Sequence, residues 1–288
     1  MSSYRFCRTD DIGLLVDALN RCWLPYFPDQ AAITPAAFKR SIRDLQVWCS
    51  SCMVAFSGSD PIGVLIGAKR PSGTLIHKIA VHPEHRRQGH GRHLLASLGS
   101  KLAILGPPRI VAEVPDSLAS ACGLFSAGGY VQEALLTDYV AKGPAPSERG
   151  DAARVEGLVI PVTVDDLVAN DLLGQGDRQT CWERSVETLI ARKDEIAGLA
   201  VASDERIEAY VLYVEREMEA MEVVALRCFI DDGGARLKQL LCQLRARGVK
   251  SIWFPKVHPA EISKQWVETL GFSPAGGHLL YAAKARSD

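Results

Sequence analysis

The chain has 288 residues, of which 47% are hydrophobic, and a formal net charge of −1 at pH 7. This composition is typical of a globular protein with room for two domains, and the near-zero charge argues against a general nucleic-acid or membrane-surface partner. No apolar run approaches the roughly 20 residues that span a bilayer, and the N-terminus lacks the apolar segment of a secretory signal. We therefore expect a cytoplasmic protein, and the sequence is compatible with either a monomer or a homodimer.

The N-terminal half predicts strands and helices in the order βααβββαβαβ. Apolar positions recur with a period of two in the strands and of three to four in the helices. The pair Thr34-Pro35 is typical of a helix start. The predicted elements are, in chain order, a strand (4–8), a helix from Asp10, a helix (36–43), three strands (47–56, 62–69, 74–81), a helix (93–105), a strand (109–114), a helix (115–127) and a strand pair ending near Ala141.

The eight cysteines predict neither a metal site nor a disulfide framework. Only Cys49 and Cys52 have the Cys-x-x-Cys spacing, and no second pair completes a zinc site. We place both in the strand 47–56, where residues three apart face opposite sides of a sheet. The prediction is therefore reduced, mostly buried thiols and no metal.

The most informative stretch is 81–95, which reads Val-x-Pro-x-x-Arg-x-x-Gly-x-Gly-x-x-Leu-Leu between a predicted strand and a predicted helix. Such a loop leaves the first helical N–H groups unpaired at the positive end of the helix dipole. Gly89 and Gly91 lack Cβ atoms, so that phosphates can approach the backbone. Three arginines add positive charge: Arg86, Arg87 and Arg92. The stretch predicts a diphosphate site, and the alternative is a basic helix start on a solvated surface. A nucleotide P-loop and a dinucleotide fingerprint both need residues that are absent here.

This motif resembles the coenzyme A signature of the GNAT superfamily of acetyl-CoA-dependent N-acyltransferases. The predicted element order is the family's order, and 124–130, Leu-Phe-Ser-Ala-Gly-Gly-Tyr, resembles the family's Leu-Tyr-x-x-x-Gly-Phe ending. The resemblance covers about residues 3–142. It implies acetyl-CoA as cosubstrate, held by backbone and side-chain groups of the strand, the loop and the helix start. The implied coenzyme-binding residues are Ile79, Ala80, Val81, Arg86, Arg87, Gln88, Gly89, His90, Gly91 and Arg92.

The second half repeats the first weakly. An offset of 142 residues aligns glycines in three places: Gly91 with Gly233, Gly106 with Gly248, and Gly129 with Gly271. The same offset puts Asp231 and Asp232 at the diphosphate loop, where two carboxylates would repel an anion. We therefore expect an α/β (layered α+β) fold of two GNAT-like domains, each a mixed, mostly antiparallel sheet flanked by helices. The predicted boundaries are a catalytic domain (1–142), a Pro- and Gly-rich linker (143–157) and a degenerate GNAT-like domain (158–288).

His77 is the best candidate for the general base. Its place two residues before Ile79 resembles that of the catalytic histidine in arylalkylamine N-acetyltransferases, and an imidazole suits proton removal at neutral pH. The alternatives are a strand histidine without a catalytic role and proton removal by Glu113 through an ordered water. The general acid is less clear, because Phe125 stands where the family has a tyrosine. The remaining candidates to protonate the thiolate are Tyr130, Tyr139 and water.

The aromatic, proline-broken segment 23–28 is expected to be a loop. Trp23, Tyr26 and Phe27 either form a wall of the acceptor groove or pack the first two helices onto the sheet. The leading hypothesis is an acetyl-CoA-dependent N-acetyltransferase that acts on a small-molecule amine. The alternatives are a coenzyme A-binding regulatory or scaffold protein without efficient catalysis, and acetylation of a protein or peptide.

Overall fold

The computed structural model describes residues 2–143, 157–174 and 180–285. Most of the predicted linker, residues 144–156, lies outside the described residues. The described chain packs as two compact units. The first unit draws on Met1–Ala134 and Leu279–Asp288, and the second on Leu135–His278.

The element order predicted for the N-terminal half is confirmed, and it recurs in the C-terminal half. The first series is β1 (Ser2–Phe6), α1 (Ile12–Trp23), α2 (Pro35–Leu45), β2 (Met53–Ser57), β3 (Asp60–Arg70), β4 (Gly73–Val81), α3 (His90–Leu105), β5 (Arg109–Pro115), α4 (Ala119–Ala127) and β6 (Val131–Lys142). The second series is β7 (Leu158–Val162), α5 (Val164–Ala169), α6 (Val186–Ala191), β8 (Ala197–Ala202), β9 (Ile207–Arg216), β10 (Ala220–Cys228), α7 (Ala235–Ala246), β11 (Ser251–Val257), α8 (Lys264–Thr269) and β12 (Ser273–Lys284). The predicted fold of two GNAT-like halves is therefore confirmed.

In the first unit, strands β1 to β4 form an antiparallel meander and β5 is parallel to β4. The described pairing of β4 with β5 is confined to Thr74 with Ile110 and Leu75 with Val111. Beyond Leu75 the two strands part. Helix α3 packs its apolar face on this sheet through residues at helical spacing, namely Leu94, Leu95, Leu98 and Leu102.

In the second unit, β7 to β10 form the equivalent meander, and β11 pairs in parallel with β10. Strand β6, from the N-terminal half, pairs antiparallel with β11. The end of β12, from the C-terminal half, belongs instead to the first unit, whose core includes Tyr281. The first compact unit is therefore built from two segments of the chain, whereas the second is one segment that begins within β6 and ends within β12. The sequence boundaries at 142 and 158 stay predictions about the repeat.

Two local predictions are wrong. Cys49 begins a short 3-10 turn and Cys52 precedes β2, so neither lies in a strand. The predicted strand pair after Gly129 is the single strand β6. The prediction of mostly buried thiols is confirmed, because all eight cysteines are free and five of them are buried. Burial raises the pKa of the Cys22 thiol to about 11, so it is protonated at neutral pH.

Within the described residues, we find no helix that combines the length and the apolar character needed to cross a bilayer.

Candidate active site

A cavity of about 650 Å³ opens where β4 and β5 part. This volume is within the range of small-molecule and cofactor sites. Its walls are β4, the loop after it, the start of α3, the end of β5, helix α4 and the aromatic segment 23–27, which begins with the last residue of α1. The cavity brings His77 together with nine of the ten predicted coenzyme residues, whereas Gln88 is not among its described lining residues. The nine are Ile79, Ala80, Val81, Arg86, Arg87, Gly89, His90, Gly91 and Arg92.

The loop between β4 and α3 has the backbone shape of an anion site. Arg87 and Gly89 both adopt left-handed conformations, with φ of 62° and 87°. Left-handed residues in such a turn bring successive N–H groups toward one concavity. At Gly89, the N-cap of α3, this conformation has no steric cost, whereas at Arg87 it costs about 1–2 kcal/mol. Backbone strain of that kind is typical of ligand sites.

The two glycines of the motif serve different purposes. A Cβ on Gly89 would meet nothing within 4 Å, so its role is the positive φ. A Cβ on Gly91 would come within 3.1 Å of Leu124 Cδ2 on helix α4. A side chain at Gly91 would therefore require Leu124 to shift, and the glycine allows the close approach of α3 and α4. The expectation that phosphate approaches the backbone at both glycines stays a prediction.

His90 belongs to the loop through its backbone more than through its ring. The side chain is only 5% exposed, and its Nδ1 lies 2.6 Å from the hydroxyl of Tyr4 on β1. Burial lowers the pKa of His90, which favours the neutral imidazole. Its Nε2 has no hydrogen-bond partner among the described residues. The hydrogen bond between the side chains of Tyr4 and His90 therefore links the start of α3 to β1.

A β-bulge in β4 sets the position of His77. Ile66 pairs with Lys78 and Gly67 with Ile76, so His77 is the extra residue of the bulge. Bulges re-aim side chains and are frequent beside active sites. His77 is half-buried and lines the cavity, and Glu113 of β5 lines the same cavity. Both sequence candidates for the base therefore lie where an acceptor amine could meet the coenzyme.

The tyrosines suggested as general acids lie elsewhere. Phe125 lines the cavity, packed edge-on against Tyr130 at 5.2 Å and stacked on Tyr281 at 5.7 Å between ring centroids. Tyr130 is buried, which raises its pKa, and it is absent from the described lining. Tyr139 is a core residue of the second unit. The hypothesis that Tyr130 or Tyr139 takes the family tyrosine's place therefore receives no support from the geometry.

Sequence reasoning missed Tyr281. The offset of 142 residues that aligns the two halves also aligns Tyr139 with Tyr281, in β6 and β12. Because the ends of these strands lie in opposite units, Tyr281, and not Tyr139, packs beside Phe125. The repeat therefore indicated that Tyr281 is equivalent to Tyr139. It could not show that Tyr281, from the C-terminal half, lies in the first unit.

The aromatic segment forms a wall of the cavity. Trp23 and Phe27 stack with ring centroids 4.7 Å apart, and Tyr26 completes the wall. The Tyr26 hydroxyl donates a hydrogen bond of 2.6 Å to the carbonyl of Val81. The Lys78 ammonium lies 4.3 Å from the centroid of the Trp23 ring. Of the two sequence alternatives, this geometry favours the acceptor groove over simple packing of helices.

The second unit has a smaller cavity, of about 420 Å³, at the equivalent place after β10. Helix α7 begins at the N-cap Gly234, whose φ of 86° matches that of Gly89. The carboxylate of Asp232 accepts hydrogen bonds from the Gly234 amide (2.9 Å), the Arg236 amide (3.0 Å) and the Arg236 guanidinium (2.9 Å). An internal carboxylate thus occupies the amides that a phosphate would need.

The alignment of the loops by a single offset is wrong. Gly89 corresponds to Gly234, and the strand ends Val81 and Cys228 correspond as well. The offset fails here because the loop before α7 is shorter than the loop before α3, and because α7 has 12 residues whereas α3 has 16. Asp231 therefore does not replace Gly89. The offset of 142 holds only from the core of the helix onward, as at Gly129 and Gly271, both with positive φ.

One group among the described residues could hold a cation. The ligand atoms of His82, Glu84 and His85 lie within 4.8 Å of one another on the turn after β4. Glu84 is largely exposed, with 83% of its side-chain surface accessible. The absence of a functional metal stays a prediction.

The parted strands and the glycine-bearing start of α3 lie where the motif of 81–95 predicts them. Residues 14–130 match the acetyltransferase (GNAT) family, and this part of the chain belongs to that family. No curated protein matches the sequence significantly.

Solved structures extend the likeness in fold to the whole chain. A tandem GNAT protein from the clavulanic acid biosynthesis pathway superimposes with a TM-score of 0.66 at 16% identity, covering 100% of both chains. A GCN5-related N-acetyltransferase from Sphaerobacter thermophilus gives 0.67 at 13%, covering 99% of this chain and 96% of that one. One from Anabaena variabilis gives 0.67 at 11%, covering 99% and 73%. At such identities these likenesses concern the fold alone.

Proposed function

We propose that the first unit is an acetyl-CoA-dependent N-acetyltransferase that acetylates the amine of a small-molecule acceptor. The observation that carries this proposal is a cavity, at the place where β4 and β5 part, that is lined both by the glycine-bearing start of α3 and by the bulged His77. Family membership of residues 14–130 supports the same conclusion.

The coenzyme fits the residues of this loop. The amides at the start of α3, with Arg86, Arg87 and Arg92 around them, would hold the diphosphate. The backbone of Ile79 to Val81 would pair with the pantetheine arm, because β4 has parted from β5 there. The N-cap Gly89 has no side chain that could cap these amides, in contrast to the Asp232 carboxylate at α7. Bound acetyl-CoA supplies the acetyl thioester.

Transfer requires a neutral amine and an exit for the thiolate. His77 would take the proton from the amine as the new C–N bond forms and the C–S bond breaks, with Glu113 as the alternative base through water. Phe125 has no proton to give. The leaving thiolate would therefore take its proton from water.

We assign no coenzyme to the second unit. The capped start of α7 supports this assignment. A cytoplasmic location is part of the proposal, supported by eight free thiols.

A panel of small amines incubated with acetyl-CoA tests the proposal. We expect an acetylated product by mass spectrometry and release of free coenzyme A, both formed much more slowly by the His77→Ala variant. Binding of acetyl-CoA without transfer to any amine in a broad panel would contradict it, and would favour a coenzyme-binding regulatory role.

A further inference from the structure

The end of β4 turns backbone polar groups toward the gap between β4 and β5. Val81 pairs with Gly63 of β3, and the His82 amide donates a hydrogen bond of 2.9 Å to the carbonyl of Ile62. In an antiparallel ladder this pattern makes Val81 and Gly63 a non-hydrogen-bonded pair, so the N–H and C=O of Val81 point away from β3. Ile79, two residues earlier, points the same way. The described pairing of β4 with β5 ends before this point, so these groups face the cavity side of the parted strands.

The side chain of Tyr26 already binds one of these backbone groups. Its hydroxyl donates a hydrogen bond of 2.6 Å to the carbonyl of Val81, and its ring lines the cavity. Burial raises the pKa of Tyr26, so the hydroxyl remains a donor at neutral pH. A carbonyl that accepts a hydrogen bond from Tyr26 is less available to an amide of the pantetheine arm.

Tyr26 also contacts the loop before α3. The Arg86 guanidinium lies 5.7 Å from the centroid of the Tyr26 ring, within the range of a cation–π contact. Tyr26 thus contacts two of the predicted coenzyme residues, Val81 and Arg86. It is 37% exposed and ends the short 3-10 turn Leu24–Tyr26. The side chain can therefore leave the strand without opening the hydrophobic core.

We propose that Tyr26 is a further residue of the coenzyme site, which occupies the Val81 carbonyl in the free protein and yields it to the pantetheine arm when the coenzyme binds. This proposal rests on the proposed function and adds an internal competitor to it. The displaced hydroxyl would bind water, because Tyr26 is partly exposed. Coenzyme affinity is then lower than the site would otherwise allow, by the net value of one hydrogen bond.

Two ligands that differ only in the pantetheine arm test the assignment. They are coenzyme A and its nucleotide fragment, which ends at the diphosphate and lacks the arm. We would titrate both into the wild type and Tyr26→Phe by calorimetry. The variant keeps the ring beside Arg86 and removes the hydroxyl. The Kd of coenzyme A should fall by roughly 2-fold to 10-fold, the size of one net hydrogen bond. The Kd of the fragment should stay unchanged, because the fragment does not reach Val81.

Tyr4→Phe is the matched control. It removes another tyrosine hydroxyl that lies 2.6 Å from its partner, Nδ1 of His90, and it should change the Kd of both ligands by the same factor. Unchanged or weaker binding of coenzyme A to Tyr26→Phe, or an equal gain for the fragment, would overturn the assignment of Tyr26 alone. Failure of coenzyme A to bind the wild type would overturn it together with the proposed function.

Discussion

His77 is the residue on which the proposed proton transfer depends. The bulge in β4 makes it the extra residue of the strand and brings it to the cavity wall. Its identity as a candidate was predictable from its place before the diphosphate motif. The bulge was not, because it arises from the register between β3 and β4, which no local pattern encodes.

We expect His77→Ala to lower kcat/KM by roughly 10²-fold to 10⁴-fold, the usual contribution of a general base. The rise of kcat/KM with pH should flatten in the variant, while acetyl-CoA affinity and thermal unfolding stay close to wild type. The pH profile is the decisive measurement. A normal rate and an unchanged pH profile in His77→Ala would contradict the role of His77 as the base. Glu113 would then be the remaining candidate, and Glu113→Gln is the matched variant that tests it.

Asp232 distinguishes the loop before α7 from the equivalent loop before α3, because its carboxylate binds the backbone amides at the helix start. Burial alone would raise the pKa of its carboxyl group, but hydrogen bonds from Arg236 and from the amides of Arg236 and Gly234 outweigh burial and lower it. The sequence indicated that a carboxylate at this loop would oppose a diphosphate. The capping contact was missed because the offset of 142 placed Asp232 at the position of His90, inside the helix, whereas α7 begins only after Gly234.

We expect Asp232→Asn to lower the free energy of unfolding by about 1 kcal/mol at neutral pH, the usual size of a helix-capping contact. Because the folded pKa of Asp232 is lowered, its contribution is complete above the normal aspartate value of 3.8 and is lost as pH falls through the folded pKa. Urea unfolding across that range measures the effect. The exposed Asp231→Asn is the control, and an equal loss in both variants, or a difference that persists in acid, would contradict the capping role.

Among the elements, the final strand matters most to the site. Tyr281 is 4% exposed in the core of the first unit and stacks on Phe125 of the cavity wall. The amide of Ala285 donates a hydrogen bond of 2.7 Å to the carbonyl of Pro108, just before β5. Strand β12 therefore supports the parted strand and helix α4 from outside the N-terminal half.

We expect Tyr281→Ala to destabilise the first unit by about 3–5 kcal/mol, as for other large buried aromatic residues. Tyr281→Phe should cost little, since the stacked ring is kept. Thermal unfolding of the two variants gives the comparison. Near-identical stability of Tyr281→Ala and wild type would show that the N-terminal half does not need the strand.

At the scale of the whole molecule, the sequence predicted the class of fold and the position of the glycine-bearing loop before α3, because both depend on local sequence patterns. Strand alternation, helix periodicity and the motif of 81–95 are short-range signals. Short-range patterns could not predict that β6 pairs in the second unit and that the end of β12 lies in the first. The residue pattern of each strand is compatible with either unit. The different lengths of the loops before α3 and α7 were also not predicted, because a single offset assumes that the two halves have loops of equal length.

A calorimetric titration of the full-length protein with acetyl-CoA tests the central claim, a single coenzyme site at the loop before α3. We predict one site per chain. Arg86→Ala/Arg87→Ala should abolish measurable binding, because charge-assisted hydrogen bonds are worth roughly 1.5–3 kcal/mol each. Arg227→Ala, at the cavity of the second unit, should leave binding unchanged. Two equivalent sites per chain, or an unaltered affinity in the double variant, would contradict the account.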